Sequence, residues 1–163
     1  MSEKRKLSTV LFSDIVGYTA LMEEHESHAL HQINQYKEIL ESLVPASQGE
    51  IIQFFGDGCL LVFDSSTHAV HCANKLQNEF IAHKIPVRIG MHLGEVLFKN
   101  DNAFGTGVNI ASRIESISVP GAILISKSVR DQIRNKTDFI LQSLGSFEFK
   151  NVVEPMEVFA IAG

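Results

Sequence analysis

The sequence predicts an α+β fold, and three observations carry that reading. Apolar residues come in short strand-length runs at 7–13, 51–63, 87–93 and 122–126, and in helix-spaced faces at 30–44, 69–81 and 108–114. An Asp-Gly turn at Asp57-Gly58 joins two of the runs into a hairpin. In order, the segments give a ferredoxin-like βαββαβ core with an appended helix and a C-terminal hairpin.

Each element has its own signal. Leu7 to Ser13 is an apolar run suited to a buried strand. Leu30, Ile33, Leu40, Leu43 and Val44 mark one face of a helix that ends near Pro45. Gly49 opens the run Ile51 to Phe55, which turns at Gly56-Asp57-Gly58 and returns as Cys59 to Phe63. Ala69, Val70, Ala73, Leu76, Phe80 and Ile81 form the next helical face, and Pro86 breaks it. Val87 to Leu93 alternates as a strand before Gly94 and a short excursion. Val108, Ala111 and Ile114 begin the appended helix. Pro120-Gly121 turns the chain into Ala122 to Ser126. Phe139 to Lys150 and Met156 to Ile161 form the last hairpin against the sheet.

At 163 residues, 45% apolar and 20% charged, residues 1–163 read as one domain, with 1–6 as a polar N-terminal tail. A net charge of −5, with Lys4-Arg5-Lys6 the only basic run, excludes a nucleic-acid partner held by phosphate neutralisation. A bound polyanion would have to bring its own metal. Cys59 and Cys72 have neither metal-ligand nor disulfide spacing and are expected in the core of a cytoplasmic protein. No stretch of signal-peptide or membrane length follows the N-terminus, so no membrane contact is expected of this domain. Nor does a Ser/His/Asp or reactive-cysteine arrangement offer a protein nucleophile.

The chemistry-bearing segments are Phe12-Ser13-Asp14-Ile15-Val16-Gly17-Tyr18-Thr19 and Phe55-Gly56-Asp57-Gly58. Each places one carboxylate where a strand breaks into a glycine turn. Alone, such aspartates are ordinarily a helix cap or a turn residue. The predicted sheet sets the two strand ends side by side, where paired carboxylates can hold hard divalent cations about 3.5 to 4 Å apart. Gly17 allows a tight turn, so that the amides of Ile15 to Thr19 could cradle phosphate oxygens.

A third segment, Phe104-Gly105-Thr106-Gly107-Val108-Asn109-Ile110-Ala111-Ser112-Arg113, projects Asn109 and Arg113 from one helical face beside the apolar stripe. The bland alternative is a solvated face with Arg113 paired to Glu115 or another acid. His25, His28 and His31, with His68 and His71, read as solvated helix faces, because helical zinc pairs are more often four apart. Phe54 and Phe55 read as core or interface aromatics.

Taken together, these segments, with Gly49-Glu50, Gly90-Met91-His92-Leu93-Gly94-Glu95-Val96 and Phe149-Lys150, resemble the class III nucleotidyl cyclase catalytic domain, the adenylate and guanylate cyclase family. The resemblance covers nearly the whole chain. It implies two Mg²⁺ or Mn²⁺ per site on Asp14, Asp57 and the carbonyl of Ile15, with Val16, Gly17, Tyr18 and Thr19 against the substrate phosphates. Asn109 would orient the ribose, Arg113 would stabilise charge on the α-phosphate, and Lys150 would bind the triphosphate, although Asn151 replaces the usual following Gly. The family's sites lie at the interface of a two-fold homodimer, with the metal aspartates from one copy and Asn, Arg and base-reading residues from the other.

The chain departs from the family at the base-reading positions, where Gln53 stands for the usual Lys and Asn102 for the usual Asp or Thr. Guanylate cyclases usually carry Glu with Cys or Ser there. Two amides can read the adenine edge and, by rotating, guanine as well. The reading is conversion of ATP to 3′,5′-cyclic AMP and pyrophosphate for intracellular signalling. Its alternatives are a guanylate or pyrimidine nucleotide cyclase and a catalytically silent nucleotide-binding regulatory domain. A diguanylate cyclase would need a Gly-Gly-Asp/Glu-Glu-Phe signature, which is absent.

Overall fold

In the computed structural model, which describes residues 3–136 and 138–162, the chain begins with β1 (Lys4–Ile15), α1 (Tyr18–Glu24) and α2 (Glu26–Ala46). The hairpin β2 (Gly49–Phe55) and β3 (Gly58–Phe63), α3 (Ser66–Ala82) and the long β4 (Val87–Lys99) follow. Then come β5 (Asn102–Phe104), α4 (Thr106–Ser116), β6 (Ile123–Ser126), α5 (Lys127–Ile133), β7 (Ile140–Phe147) and β8 (Met156–Ala162). The sheet order is β2-β3-β1-β4-β6-β8-β7, with β5 paired to β4. Its first four strands have the ferredoxin-like order that the sequence predicts.

Leu11, Tyr36, Leu40, Leu61, Leu76, Phe80, Ile89 and Met91 are fully buried in the main core, where α2 and α3 cover one face of the sheet. α4 covers the other, packing Val108 and Ala111 on Val10, Leu60, Val62 and Val96. Cys59 and Cys72 are buried free thiols, as expected. None of the helices among the described residues is long and apolar enough to cross a membrane.

Several boundaries differ from the sequence reading. Lys4, Arg5 and Lys6 are strand rather than tail, paired with Phe98, Leu97 and Val96, and ion pairs Arg5–Glu95 (3.6 Å) and Lys6–Asp64 (2.5 Å) hold their charges at the surface. The first helical region is two helices broken at His25, and the second runs through Pro45 into its last turn. Leu30 of α2 and Ile81 of α3 are 46% and 59% exposed; the buried stripe of α2 runs through Ala29, Ile33, Tyr36, Leu40 and Val44, and that of α3 ends at Phe80. The excursion after Gly94 is the outer half of β4 turning into β5, with Asn100 and Asp101 both at positive φ in a two-residue turn. Helix α5 has no counterpart in the reading, because its seven residues bury only Val129 and Ile133.

α4 rests directly on β4. A Cβ at Gly90 would lie 2.2 Å from the backbone nitrogen of Glu115, so only glycine permits this approach. That contact carries the C-terminal half of α4 to the end of the sheet where β1 stops.

Candidate active site

The antiparallel ladder places Gly58 opposite Asp14 on one side and Arg88 opposite it on the other. The amide of Ile15 donates to the carbonyl of Asp57 at 2.8 Å, stitching the β2–β3 turn to the end of β1. Asp14 and Asp57 are thus neighbours, as the sequence predicts. From beneath, the Tyr36 hydroxyl lies 2.5 Å from Ser13 Oγ, both groups being buried, and it fixes the strand end just before Asp14.

Arg88 grips Asp14 with two prongs, Nε donating to Oδ1 at 3.0 Å and Nη2 to Oδ2 at 2.8 Å. Its Nη1 donates to the Ser116 carbonyl at 3.2 Å, and Nη2 lies 3.0 Å from Glu115 Oε2. This last contact is an ion pair without hydrogen-bond alignment, since Oε2 is buried and accepts no hydrogen bond. The bond to Asp14 raises the Arg88 pKa. Burial, reinforced by the like charge of Asp14 and opposed by Arg88, pushes the Glu115 carboxyl up to about 7. Sequence reasoning missed Arg88 altogether, and the bland alternative of an Arg113–Glu115 pair is not formed, because Glu115 faces Arg88. The available signal was a lone arginine between Val87 and Ile89 in an apolar strand, which demands an internal acid.

Gly17 adopts φ 76° and ψ 13° as the N-cap of α1, a left-handed turn that strains any side chain. Of the amides expected to face phosphate, that of Ile15 is taken by Asp57 and that of Val16 donates to the Pro86 carbonyl at 2.8 Å. Neither is free, which corrects the role expected of the Val16 amide. Gly17, Tyr18 and Thr19 keep the first-turn amides that have no intrahelical acceptor.

On α4 the stripe Val108, Ala111 and Ile114 is buried, with Asn109 and Arg113 beside it. Asn109, Ser112, Arg113, Glu148, Phe149 and Lys150 line a cavity of about 420 Å³, which joins the appended helix to the loop between β7 and β8. Among the described residues, neither Arg113 nor Lys150 has an ion-pair partner. Asp14 and Asp57 do not line this cavity.

Gln53 and Asn102 stand apart from it. A bulge at Ile52 shifts the β2 register, so that Ile51 faces Leu61 while Gln53 faces Leu60, and Gln53 is exposed. Asn102 Oδ1 accepts from the Ala103 amide at 2.8 Å, which engages the oxygen and leaves the NH₂ as the group available to a ligand. Asn102 lines a separate hollow with Glu50 and Ile52, and no hydrogen bond joins it to Gln53. His28, His31, His68 and His71 are exposed on helices and His25 is exposed at the break between α1 and α2; among the described residues no three His, Cys, Asp or Glu gather as a metal-binding group. Phe54 packs on the core, whereas Phe55 is 40% exposed and stacks on Phe12 at 5.9 Å.

Asp14, Asp57 and the Ile15 carbonyl are hard oxygen donors without nitrogen or sulfur, a set suited to Mg²⁺ or Mn²⁺ rather than zinc. Two carboxylates suffice for ions that keep waters and take substrate phosphates. Among the described residues the Asp57 carboxylate has no ion-pair partner, and a guanidinium already occupies the cationic position beside Asp14. The donors fit the ions.

Comparison with known proteins identifies the family. A putative adenylate cyclase 3 of Rhizobium meliloti (strain 1021) is 36% identical over 96% of this chain, and the match spans 28% of that protein's length. An adenylate/guanylate cyclase/hydrolase from Silicibacter pomeroyi superposes with a TM-score of 0.92 at 30% identity, covering 99% of each chain. The guanylate cyclase domain of RhGC from Catenaria anguillulae, in complex with GTP, superposes with a TM-score of 0.84 at 25% identity, covering 99% of this chain and 98% of that one. Residues 1–163 match the adenylate and guanylate cyclase catalytic domain, and the chain belongs to that family, the class III nucleotidyl cyclases.

Proposed function

We propose that this chain is a nucleotidyl cyclase that converts ATP to 3′,5′-cyclic AMP and pyrophosphate for intracellular signalling, with each site shared between two copies. The observation that carries the reading is the cavity where Arg113 and Lys150, without ion-pair partners among the described residues, flank Asn109, a receptor for a polyphosphate beside a sugar. In the reaction the ribose 3′-oxygen gives up its proton to solvent and bonds to the α-phosphorus. The bond from that phosphorus to the β-bridging oxygen breaks, and pyrophosphate leaves with the electron pair.

Asn109 holds the ribose so that the 3′-oxygen lies in line, and Arg113 stabilises the charge that grows on the α-phosphate. Lys150 and the first-turn amides of Gly17, Tyr18 and Thr19 bind the remaining phosphates. Asp14, Asp57 and the Ile15 carbonyl would hold two Mg²⁺ or Mn²⁺, which when bound acidify the hydroxyl and neutralise phosphate charge. Because neither aspartate lines the cavity of its own chain, the aspartates of one copy serve the Asn109 and Arg113 of the other in a two-fold dimer.

Gln53 and Asn102 read the base. With Oδ1 engaged, Asn102 offers its NH₂ as a donor, which suits the acceptor N1 of adenine, whereas guanine carries a proton there. Rotation of the exposed Gln53 amide favours a second reading, in which GTP is also accepted. Turnover of each of the four nucleoside triphosphates with Mn²⁺, products separated by chromatography, decides between them. Cyclic AMP as the principal product supports the reading. Faster turnover of GTP reverses the base, and binding without turnover makes the chain a regulatory domain.

A further inference from the structure

Both oxygens of Asp14 are occupied by Arg88, and a divalent cation needs the same lone pairs. The guanidinium is also held on its far side, where the Ser116 carbonyl accepts from Nη1 at 3.2 Å. One acceptor is already within reach. Glu115 Oε2 lies 3.0 Å from Nη2 without an aligned hydrogen bond, in a side chain only 9% exposed. Glu115 cannot retreat either, because the backbone of α4 lies directly against Gly90.

We infer that Arg88 and Glu115 form an exchange latch on the metal site: the guanidinium neutralises Asp14 in the metal-free chain, and metal binding swings it onto Glu115. The inference rests on the metal reading proposed above. A half-buried carboxylate such as Asp14 loses part of its hydration, so Arg88 stands in for the metal while the metal is absent. Glu115 then takes up the cation that the metal displaces, which keeps the displaced charge inside the protein. The pivot is short, because Nη2 lies within 3.0 Å of both carboxylates. Arg88 and Glu115 are thus positioning residues that set the metal affinity without being ligands.

Mn²⁺ titration followed by electron paramagnetic resonance, with thermal melts of the metal-free chain, tests this on the wild type, Arg88→Met, Glu115→Gln and the double variant. Arg88→Met should bind Mn²⁺ more tightly than the wild type and melt lower without metal. Glu115→Gln should weaken binding about tenfold while Arg88 is present and about twofold or less in the Arg88→Met background, because the acceptor then has nothing to receive. Equal effects of Glu115→Gln in both backgrounds would reduce its role to through-space charge and overturn the latch. Weaker binding by Arg88→Met would make the arginine a fixed support for Asp14, with the same consequence. If Arg88→Met fails to fold, Arg88→Lys, which keeps the charge but loses the two-pronged grip, completes the same cycle. Mn²⁺ binding by the wild type no tighter than by Asp57→Ala would overturn the metal reading itself and the latch with it.

Discussion

Two regions at one end of the sheet handle charge in opposite ways. Where β1 stops, Asp14 and Glu115 share Arg88 and only the Asp57 carboxylate has no partner among the described residues, so the acidic half is nearly neutralised from within. In the cavity between α4 and the β7–β8 loop, Arg113 and Lys150 have no ion-pair partner among the described residues. These two cations against the single acid Glu148 leave the cavity a net positive lining, which suits an anion, whereas the acids at the end of β1 are already balanced by an arginine. The two regions therefore differ in sign, as the proposed sharing of one site between two copies requires.

Removing the free carboxylate should break the acidic half most severely. Asp57→Ala takes away a metal donor without disturbing Arg88 and should cut turnover about a thousandfold at unchanged melting temperature. Activity within a few-fold of wild type would detach Asp57 from the chemistry.

The cationic half has a different weakness. Gly94 lies between the buried His92 ring and Gly107 of α4, and His92 Nδ1 pairs with Ser126 Oγ at 2.8 Å. Burial lowers the His92 pKa from 6.5 to about 4. The unfolded chain therefore binds the proton first, and stability present above pH 6.5 is lost as pH falls toward 4. By pH 5 the loss should reach about 2 kcal/mol. Denaturant midpoints of wild type and His92→Asn across this window measure it, and equal slopes would remove His92 from the account.

The smallest effect belongs to the base. Gln53→Glu with Asn102→Cys should move the ATP/GTP ratio of kcat/KM about tenfold toward GTP, because a carboxylate accepts from guanine N1 and N2 and repels adenine N1. An unchanged ratio would show that the base is read elsewhere.

The difference between the halves also explains what the sequence could reveal. Asp14 and Asp57 were legible because each breaks an apolar run at a glycine turn, and strand adjacency follows from the βαββαβ order. Asn109 and Arg113 were legible from helical spacing. Arg88 was not, because its meaning depends on a cross-strand partner 74 positions away. The occupied Val16 amide and the bulge at Ile52 are facts of register, which composition and periodicity do not encode. Leu30 and Ile81 show the limit of periodicity, since both sit near the edge of a plausible apolar face and only tertiary packing excludes them.

Sharing of the site between copies is the central claim, and mixing two inactive variants tests it most directly. Asp57→Ala and Arg113→Ala should each be nearly inactive alone. After exchange of equal amounts, about half the dimers gather both lesions in one site and leave the other intact, giving roughly a quarter of wild-type turnover by two-fold symmetry. No gain in a mixture whose heterodimers are confirmed by mass would contradict the account, because it would place both half-sites of a working centre in one chain.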